Sequence, residues 1–417
     1  MAQSDSTSKA RHHDIGVLFI SRSVRLFAYG AISVILVLYL KEVGLSEKKI
    51  GLLLTMTLVG DTLISLLITT TADRLGRKRM LIAGAVLMVL GGAAFALTQS
   101  FLLLLVAATV GVISPSGNEV GPFLAIEQAA LAQNITAEQT TKTFAWYHVA
   151  GSLATAAGCL VSGGLVQALE SFGLVTGYRV ILLGYAALGF SLAMLFSRLS
   201  LASEVPKKDH SSLAPPRQTF LGLHRSHGVI FRLSALFALD AFAGGFVLQS
   251  VMVFWFYVRF GADLATLGSI FFAANALAGF SGLAAAALAR RFGLINTMVF
   301  THIPSNVLLI LVPFMPTLPL AVTVLLLRFG ISQMDVPARQ AYTAIVVSPE
   351  ERSGAAGVTN VARTTGASLS PVLAGLFLGS GSIAGAPFVL AGALKLVYDG
   401  LLYRSFRKAN LPKESDC

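Results

Sequence analysis

Long apolar runs without a charge dominate the chain. Gly30–Leu40, Ile50–Leu58 and Phe101–Ile113 are three of them. A membrane strand would alternate apolar and polar side chains every second residue. These runs are continuous, so they predict helices. A helix needs roughly 20 residues to cross about 30 Å of hydrocarbon. Cutting the pattern at charges and at Gly/Pro clusters gives twelve predicted spans. The first six are Ile15–Leu40, Ile50–Ala72, Met80–Ala96, Phe101–Ile126, Phe144–Leu169 and Val180–Phe196. The second six are Phe231–Val258, Leu267–Leu288, Leu294–Phe314, Leu320–Ala341, Ala355–Gly379 and Ala386–Leu402. The expected organisation is a tail over 1–14, a six-helix bundle over 15–197, a linker over 198–228, a second bundle over 229–406 and a tail over 407–417. The first tail, Met1–Asp14, reads as disordered. The linker contains Pro206, Pro215 and Pro216. The first span is too long for a cleaved leader and carries Arg22 and Arg25.

Composition sharpens this into an all-α membrane protein. Of 417 residues, 55% are hydrophobic and 12% charged, with mean hydropathy +0.75. A soluble chain has about a quarter charged residues, because most side chains on a globule face water. In hydrocarbon, helices satisfy their own backbone. Twelve spans put both termini on one side. With the termini cytoplasmic, the loops there hold about 19 Lys and Arg against about five opposite, a strong positive-inside bias. The net charge of +11 is therefore a topology signal. No basic face with interleaved aromatics points to nucleic acid. Cys159 and Cys417 are the two cysteines, one inside a span and one at the end. No ligand spacing for a metal occurs, and no cofactor is expected. The sequon Asn134-Ile135-Thr136 falls in an expected cytoplasmic loop and reads as chance.

The two halves repeat. Sliding the second over the first lays Val258-Arg259-Phe260-Gly261 on Lys41-Glu42-Val43-Gly44, and Ala289-Arg290-Arg291-Phe292-Gly293 on Ala72-Asp73-Arg74-Leu75-Gly76. In a slightly changed register, Arg339-Gln340-Ala341 falls on Glu127-Gln128-Ala129, and Asn360-Val361-Ala362 on His148-Val149-Ala150. Two parallel six-span repeats are the architecture of major facilitator transporters. The loop Ala72-Asp73-Arg74-Leu75-Gly76-Arg77-Lys78 resembles the signature loop of that superfamily, Gly-x-Leu-Ala-Asp-Arg-x-Gly-Arg-Lys. It departs at Thr69 and Thr71, where Gly and Leu are usual. The resemblance implies two pseudo-symmetric six-helix bundles, a substrate site near the midplane and alternating access. It also implies a cytoplasmic latch at Asp73, Arg74, Gly76 and Arg77. The bland reading of those residues is a topogenic positive cluster. In span eleven, Gly366-x-x-x-Ser370-Pro371 resembles the Gly-Pro antiporter motif of drug exporters. That motif belongs in span five, where Cys159 replaces Pro, and close packing explains most of the glycines.

Ionisable groups inside the membrane are functional hypotheses by default, because an unpaired charge there costs several kcal/mol. Asp61 lies twelve residues before Asp73, about 18 Å deeper. It is the first proton-coupling candidate, against a static pair with Arg25; Asp240 is the second. Arg25, Asn118, Glu119, His148, Gln249, Arg328 and Arg363 are substrate-cavity candidates. Glu127, Asp335 and Arg339 are gate candidates, through a bridge between Glu127 and Arg339 or through local pairs. Asp335 with Arg339, and Lys395 with Asp399, stand four apart and can pair on one helix face. Arg22 can snorkel. Pro115 either kinks span four or frees carbonyls for a cavity. Trp146 and Tyr147 read as an interfacial belt or a cavity shelf.

The expected function is proton-coupled export of a small organic molecule. The alternatives are proton-coupled uptake of an organic anion or sugar, and a non-transporting sensor or scaffold. No nucleophile elbow or phosphate-cradling loop suggests an enzyme. The expected partners are a small-molecule substrate, protons and the lipid bilayer. The protein is expected to be a monomer in the plasma membrane.

Overall fold

In the computed structural model, the described residues are 2–119, 121–200, 203–204, 226–347, 351–378 and 383–407. Among them there is no strand. Nine of the twelve expected spans are single helices and three are broken in two. The first half comprises α1 (Ala2–Glu42), α2 (Glu47–Leu75), α3 (Arg77–Leu97), α4 (Phe101–Val110), α5 (Phe123–Asn134), α6 (Ala137–Ala168) and α7 (Leu174–Ser197). The second comprises α8 (His227–Gly245), α9 (Gln249–Phe260), α10 (Leu264–Phe292), α11 (Leu294–Leu311), α12 (Leu318–Ile331), α13 (Asp335–Ile345), α14 (Arg352–Leu378) and α15 (Ala386–Phe406).

Each break has a local context. Between α4 and α5 the chain leaves the helix at Gly111, and Val112 takes a φ of 51°. Pro115 follows, with no N–H to resume the ladder, and Gly117 and Gly121 supply further positive φ angles. The sequence predicts a kink at Pro115; the structure shows a twelve-residue excursion from 111 to 122. The α8–α9 break follows Gly244-Gly245, where helix propensity is weakest. The α12–α13 break precedes Pro337, which cannot donate to the Gln333 carbonyl. Ten segments among the described residues are long and apolar enough to cross a membrane. Span four falls short because α4 has ten residues. Span eleven, α14, is not among the ten and carries Thr359, Asn360, Arg363, Thr364 and Thr365.

The chain divides into two compact units. One is Met1–Pro206 with Leu248–Ala276, the other Lys207–Val247 with Leu277–Cys417. The carboxy-terminal part of span seven and the amino-terminal part of span eight thus pack with the first half of the sequence. In the first unit α1 packs along α6, and Gly158 of α6 lies where a Cβ would meet the Phe27 carbonyl. In the second unit α8 packs along α14, and a Cβ at Gly366 would meet the Ala238 carbonyl. Spans one and five therefore cross as spans seven and eleven do, on small residues that let backbones approach. This accounts for Gly366 in the Gly-Pro stripe.

The amino-terminal tail departs from expectation. Helix α1 starts at Ala2, and Asp14 is fully buried. Its carboxylate accepts the Ser200 N–H at 3.0 Å, the Ser200 hydroxyl at 2.7 Å and the Ser203 hydroxyl at 2.6 Å. Three donors from the chain beyond α7 satisfy an acid that the sequence alone places in solvent.

Candidate functional site

The first unit holds two Arg and two Glu in one buried cluster. Arg25 of α1 is fully buried and donates to both oxygens of Glu127 of α5, at 2.6 and 2.7 Å. Arg25 also donates to Glu119 at 3.1 Å. Arg22 lies 2.6 Å from Glu119 and 4.3 Å from the Tyr147 ring centroid. Arg22 is 4% exposed, so it does not snorkel. Glu127 also accepts the Tyr147 hydroxyl at 2.6 Å and the Ser21 hydroxyl at 2.9 Å. Tyr147 is therefore not an interfacial belt residue, whereas Trp146 is 59% exposed. A carboxylate receiving four or more donors is satisfied even without water.

Asp61 stands apart from this cluster. It accepts the Gly121 N–H, and the Ser65 hydroxyl donates to it at 3.3 Å. Among the described residues no cation pairs with it, so the static pair with Arg25 is not formed. The break after α4 is what brings the Gly121 amide to α2.

A neutral polar cluster lies elsewhere in the same unit. Gln249, at the start of α9, donates to Ser33 of α1 at 2.6 Å and to Cys159 of α6 at 3.2 Å. Asn275 of α10 donates to Gln249 at 2.9 Å. Cys159 is a free, buried thiol. Asn118 is exposed in the excursion, where its carbonyl accepts the Ser114 hydroxyl. His148 is exposed too, within electrostatic range of Arg22 and Glu119.

At the signature loop, the Asp73 side chain lies outside the described residues. Arg74 is exposed. Gly76 ends α2 with a φ of 101°. The carboxylate at the α3 N-terminus belongs to Glu204, which accepts the backbone N–H of Arg77 at 2.8 Å and of Lys78 at 3.1 Å. Free N–H groups at a helix start favour an anion there. The Arg77 guanidinium donates to Gln133 at 2.9 Å and to the Ser203 carbonyl at 3.3 Å.

The second unit builds its cluster around Asp240 of α8. Lys395 of α15 donates to Asp240 Oδ1 at 2.5 Å, and Arg339 of α13 and Arg363 of α14 reach Oδ2 at 3.4 Å each. Asp335 pairs with Arg339 at 3.3 Å, as the spacing predicts. The predicted Lys395–Asp399 pair is not formed. Asp399 meets His302 Nδ1 of α11 at 2.8 Å and accepts the Asn306 amide at 3.0 Å. Lys395 finds a better partner across the bundle, so the same-face spacing is not used. Arg328 of α12 has a buried Nε with no hydrogen-bond partner, and its guanidinium lies 4.9 Å from the Phe329 ring centroid.

The two clusters correspond with opposite sign. In the first half, an Arg on span one meets a Glu on span four; in the second, an Asp on span seven meets an Arg on span ten. Glu127 and Arg339 are equivalent in the repeat, and each is paired within its own unit. Tyr147, Glu204, His302, Asn306, Ser33 and Asn275 were not singled out by sequence reasoning as partners of these groups. His302, Asn306 and Asn275 carried a usable signal, as polar side chains deep in apolar runs.

A model of the Major Facilitator Superfamily matches residues 18–334. The membrane protein YJR124C of Saccharomyces cerevisiae is 30% identical over 422 residues, covering 94% of each chain. Two solved structures share the fold. One is a bacterial homologue of the human lysosomal transporter Spinster, inward-facing and unoccupied, with TM-score 0.72 and 16% identity over 95% of this chain and 97% of that one. The other is a variant of the nucleoside transporter NupG, with TM-score 0.74 and 13% identity over 94% of this chain and all of that one. The span count, the paired crossings on small residues, the signature loop and these likenesses agree: the chain belongs to the Major Facilitator Superfamily and is a membrane transporter, not an enzyme.

Proposed function

We propose that this transporter exports a small organic solute by alternating access in exchange for protons, with Asp61 as the proton site. The observation that carries the reading is the company Asp61 keeps. It sits mid-helix in α2 and is held by an amide and a hydroxyl, both neutral. Glu119, Glu127, Asp240 and Asp335 all have Arg or Lys partners. A half-buried carboxylate inside a membrane span and without a cation is costly to keep charged. A proton removes that cost when the site is dry, and water or a cationic solute removes it when the site is open. Exchange between a proton and a solute follows from that competition. The positive-inside bias supports cytoplasmic termini, with the protein working as a monomer in the plasma membrane. The loop after α2 is read as the latch, now with Glu204 as an added partner for the start of α3.

One observation favours a second reading, proton-coupled uptake of an organic anion. Arg328 has no ion pair among the described residues, and the Arg363 side chain is 31% exposed beside Asp240. Both are available to a carboxylate or a phosphate.

The test uses purified protein in proteoliposomes with a trapped fluorescent pH reporter and an imposed pH gradient. Panels of lipophilic cations and organic anions are added in turn. Export predicts proton movement on adding cations, lost in Asp61→Asn. Movement with anions alone, lost in Arg328→Gln, selects the uptake reading. Unchanged cation-driven movement in Asp61→Asn removes Asp61 from the coupling role.

A further inference from the structure

His302 is the one titratable residue of α11 and lies between two acids. Its Nδ1 is 2.8 Å from Asp399 Oδ1, and its Nε2 is 3.8 Å from Asp240 Oδ1. The Asn306 amide reaches both His302 Nδ1, at 3.1 Å, and Asp399 Oδ2, at 3.0 Å. Tyr398 stands edge-on to the ring, with centroids 5.8 Å apart. The ring is buried, and two residues later Pro304 interrupts the α11 ladder.

Asp240, Asp335 and Asp399 face Lys395, Arg339 and Arg363, so these six side chains sum to zero when the imidazole is neutral. Of the helices packed on α11, α15 brings Asp399, Lys395 and Tyr398, while α13 brings Asp335 and Arg339. Helix α12 carries Arg328 as its single charged residue. Helices α8 and α14 contribute Asp240 and Arg363 through the Asp240 carboxylate.

We propose that the His302–Asp399 pair is a second proton-binding site of this transporter, separate from Asp61. A proton arriving on the imidazole makes both ring nitrogens donors. Nδ1–H stays on Asp399, and Nε2–H turns to Asp240 Oδ1, the same oxygen that Lys395 holds at 2.5 Å. The charged ring and the ammonium then compete for one acceptor. Protonation thus exchanges a link between α8 and α15 for one between α8 and α11. Imidazole suits the task because it gains or loses a proton within the physiological range without a large perturbation. The use of this site in transport rests on the proton-coupled reading above; its existence as a proton site does not.

The test is the ring chemistry itself. The chain has seven histidines. Replacing His12, His13, His148, His210, His224 and His227 with Gln leaves His302 as the one imidazole. This protein, grown with 13C-labelled histidine and purified in detergent micelles, is titrated by NMR from pH 4.5 to 9. The expected result is one Cε1 resonance that moves with pH across that range. A resonance that stays fixed across the range overturns the proposal. If the six-fold variant does not fold, the difference spectrum between wild type and His302→Gln reads the same resonance. Asp240→Glu, which changes the reach of the shared acceptor, is expected to move the midpoint; an unmoved midpoint overturns the role given to Asp240. Asp61→Asn is expected to leave the titration as it is. Failure of Asp61 in the flux assay therefore counts against the coupling reading, and failure of the titration counts against His302.

Discussion

The Arg25–Glu127 pair gives the sharpest energetic test. Both side chains have 0% exposure, and two bonds of 2.6 and 2.7 Å join them. Removing one partner of a buried pair costs about 3–5 kcal/mol, because the other charge is left uncompensated. Arg25→Leu and Glu127→Leu should each fall in that range. The double variant is different. It leaves Arg22 with Glu119 at 2.6 Å, one cation to one anion. Its remaining losses are smaller. The Tyr147 hydroxyl loses its acceptor, about 1–3 kcal/mol, and the Arg25 guanidinium no longer covers the Phe123 ring at 4.7 Å, about 0.5–2 kcal/mol. The double variant should therefore cost no more than the worse single variant, and the cycle should show a coupling of about 3 kcal/mol. Unfolding of the purified protein in mixed micelles, followed by circular dichroism, measures all four corners. Additivity within about 0.5 kcal/mol would mean that the pair is not a unit, and the reasoning would fail.

Asp240→Asn should destabilise by about 3–5 kcal/mol in the same assay, since Lys395, Arg339 and Arg363 share that acceptor. Gly158→Leu and Gly366→Leu drive a side chain into a facing carbonyl and should each cost at least about 1–3 kcal/mol. Gly164→Ala, with no atom within 4 Å of the added Cβ, should stay within about 0.5 kcal/mol of wild type or improve on it. Glu204→Gln removes the charge at the start of α3, and faster amide exchange at Arg77 and Lys78 should report a loss of about 0.5–2 kcal/mol.

The spans were legible because lipid admits only long apolar helices, so each crossing leaves a run in the sequence. Interruption of span four was legible through Pro115; its extent was not, because the Gly121 turn is chosen by a contact with Asp61 on another helix. The breaks in spans seven and ten left weaker marks, a Gly pair and Pro337, that closely packed membrane helices also carry. Buried charges were legible as a set. Their partners were not, because spacing names neighbours on one helix only. It found Asp335–Arg339 and misassigned Lys395, whose acceptor lies 155 residues away in the chain. Tyr147 reads as an interface residue until Glu127 is placed beside it. Glu204 sits in what reads as linker, and only the fold shows it beneath α3.

The separation of charge partners along the chain also has a consequence for synthesis. Arg22 and Arg25 emerge in the first span, while Glu119 and Glu127 follow 94 and 102 residues after Arg25. Until span four exists, span one holds two cations whose partners in the folded protein have not yet been made. At about 2.5–3.5 kcal/mol for each charge near a helix centre, release of span one into lipid by itself is disfavoured. The second half repeats the situation with the sign reversed, since Asp240 precedes Arg339 by 99 residues and Lys395 by 155. The leading helix of each repeat must therefore wait in a protected setting at the insertion machinery, and each half is released to the bilayer as an assembled, neutral set.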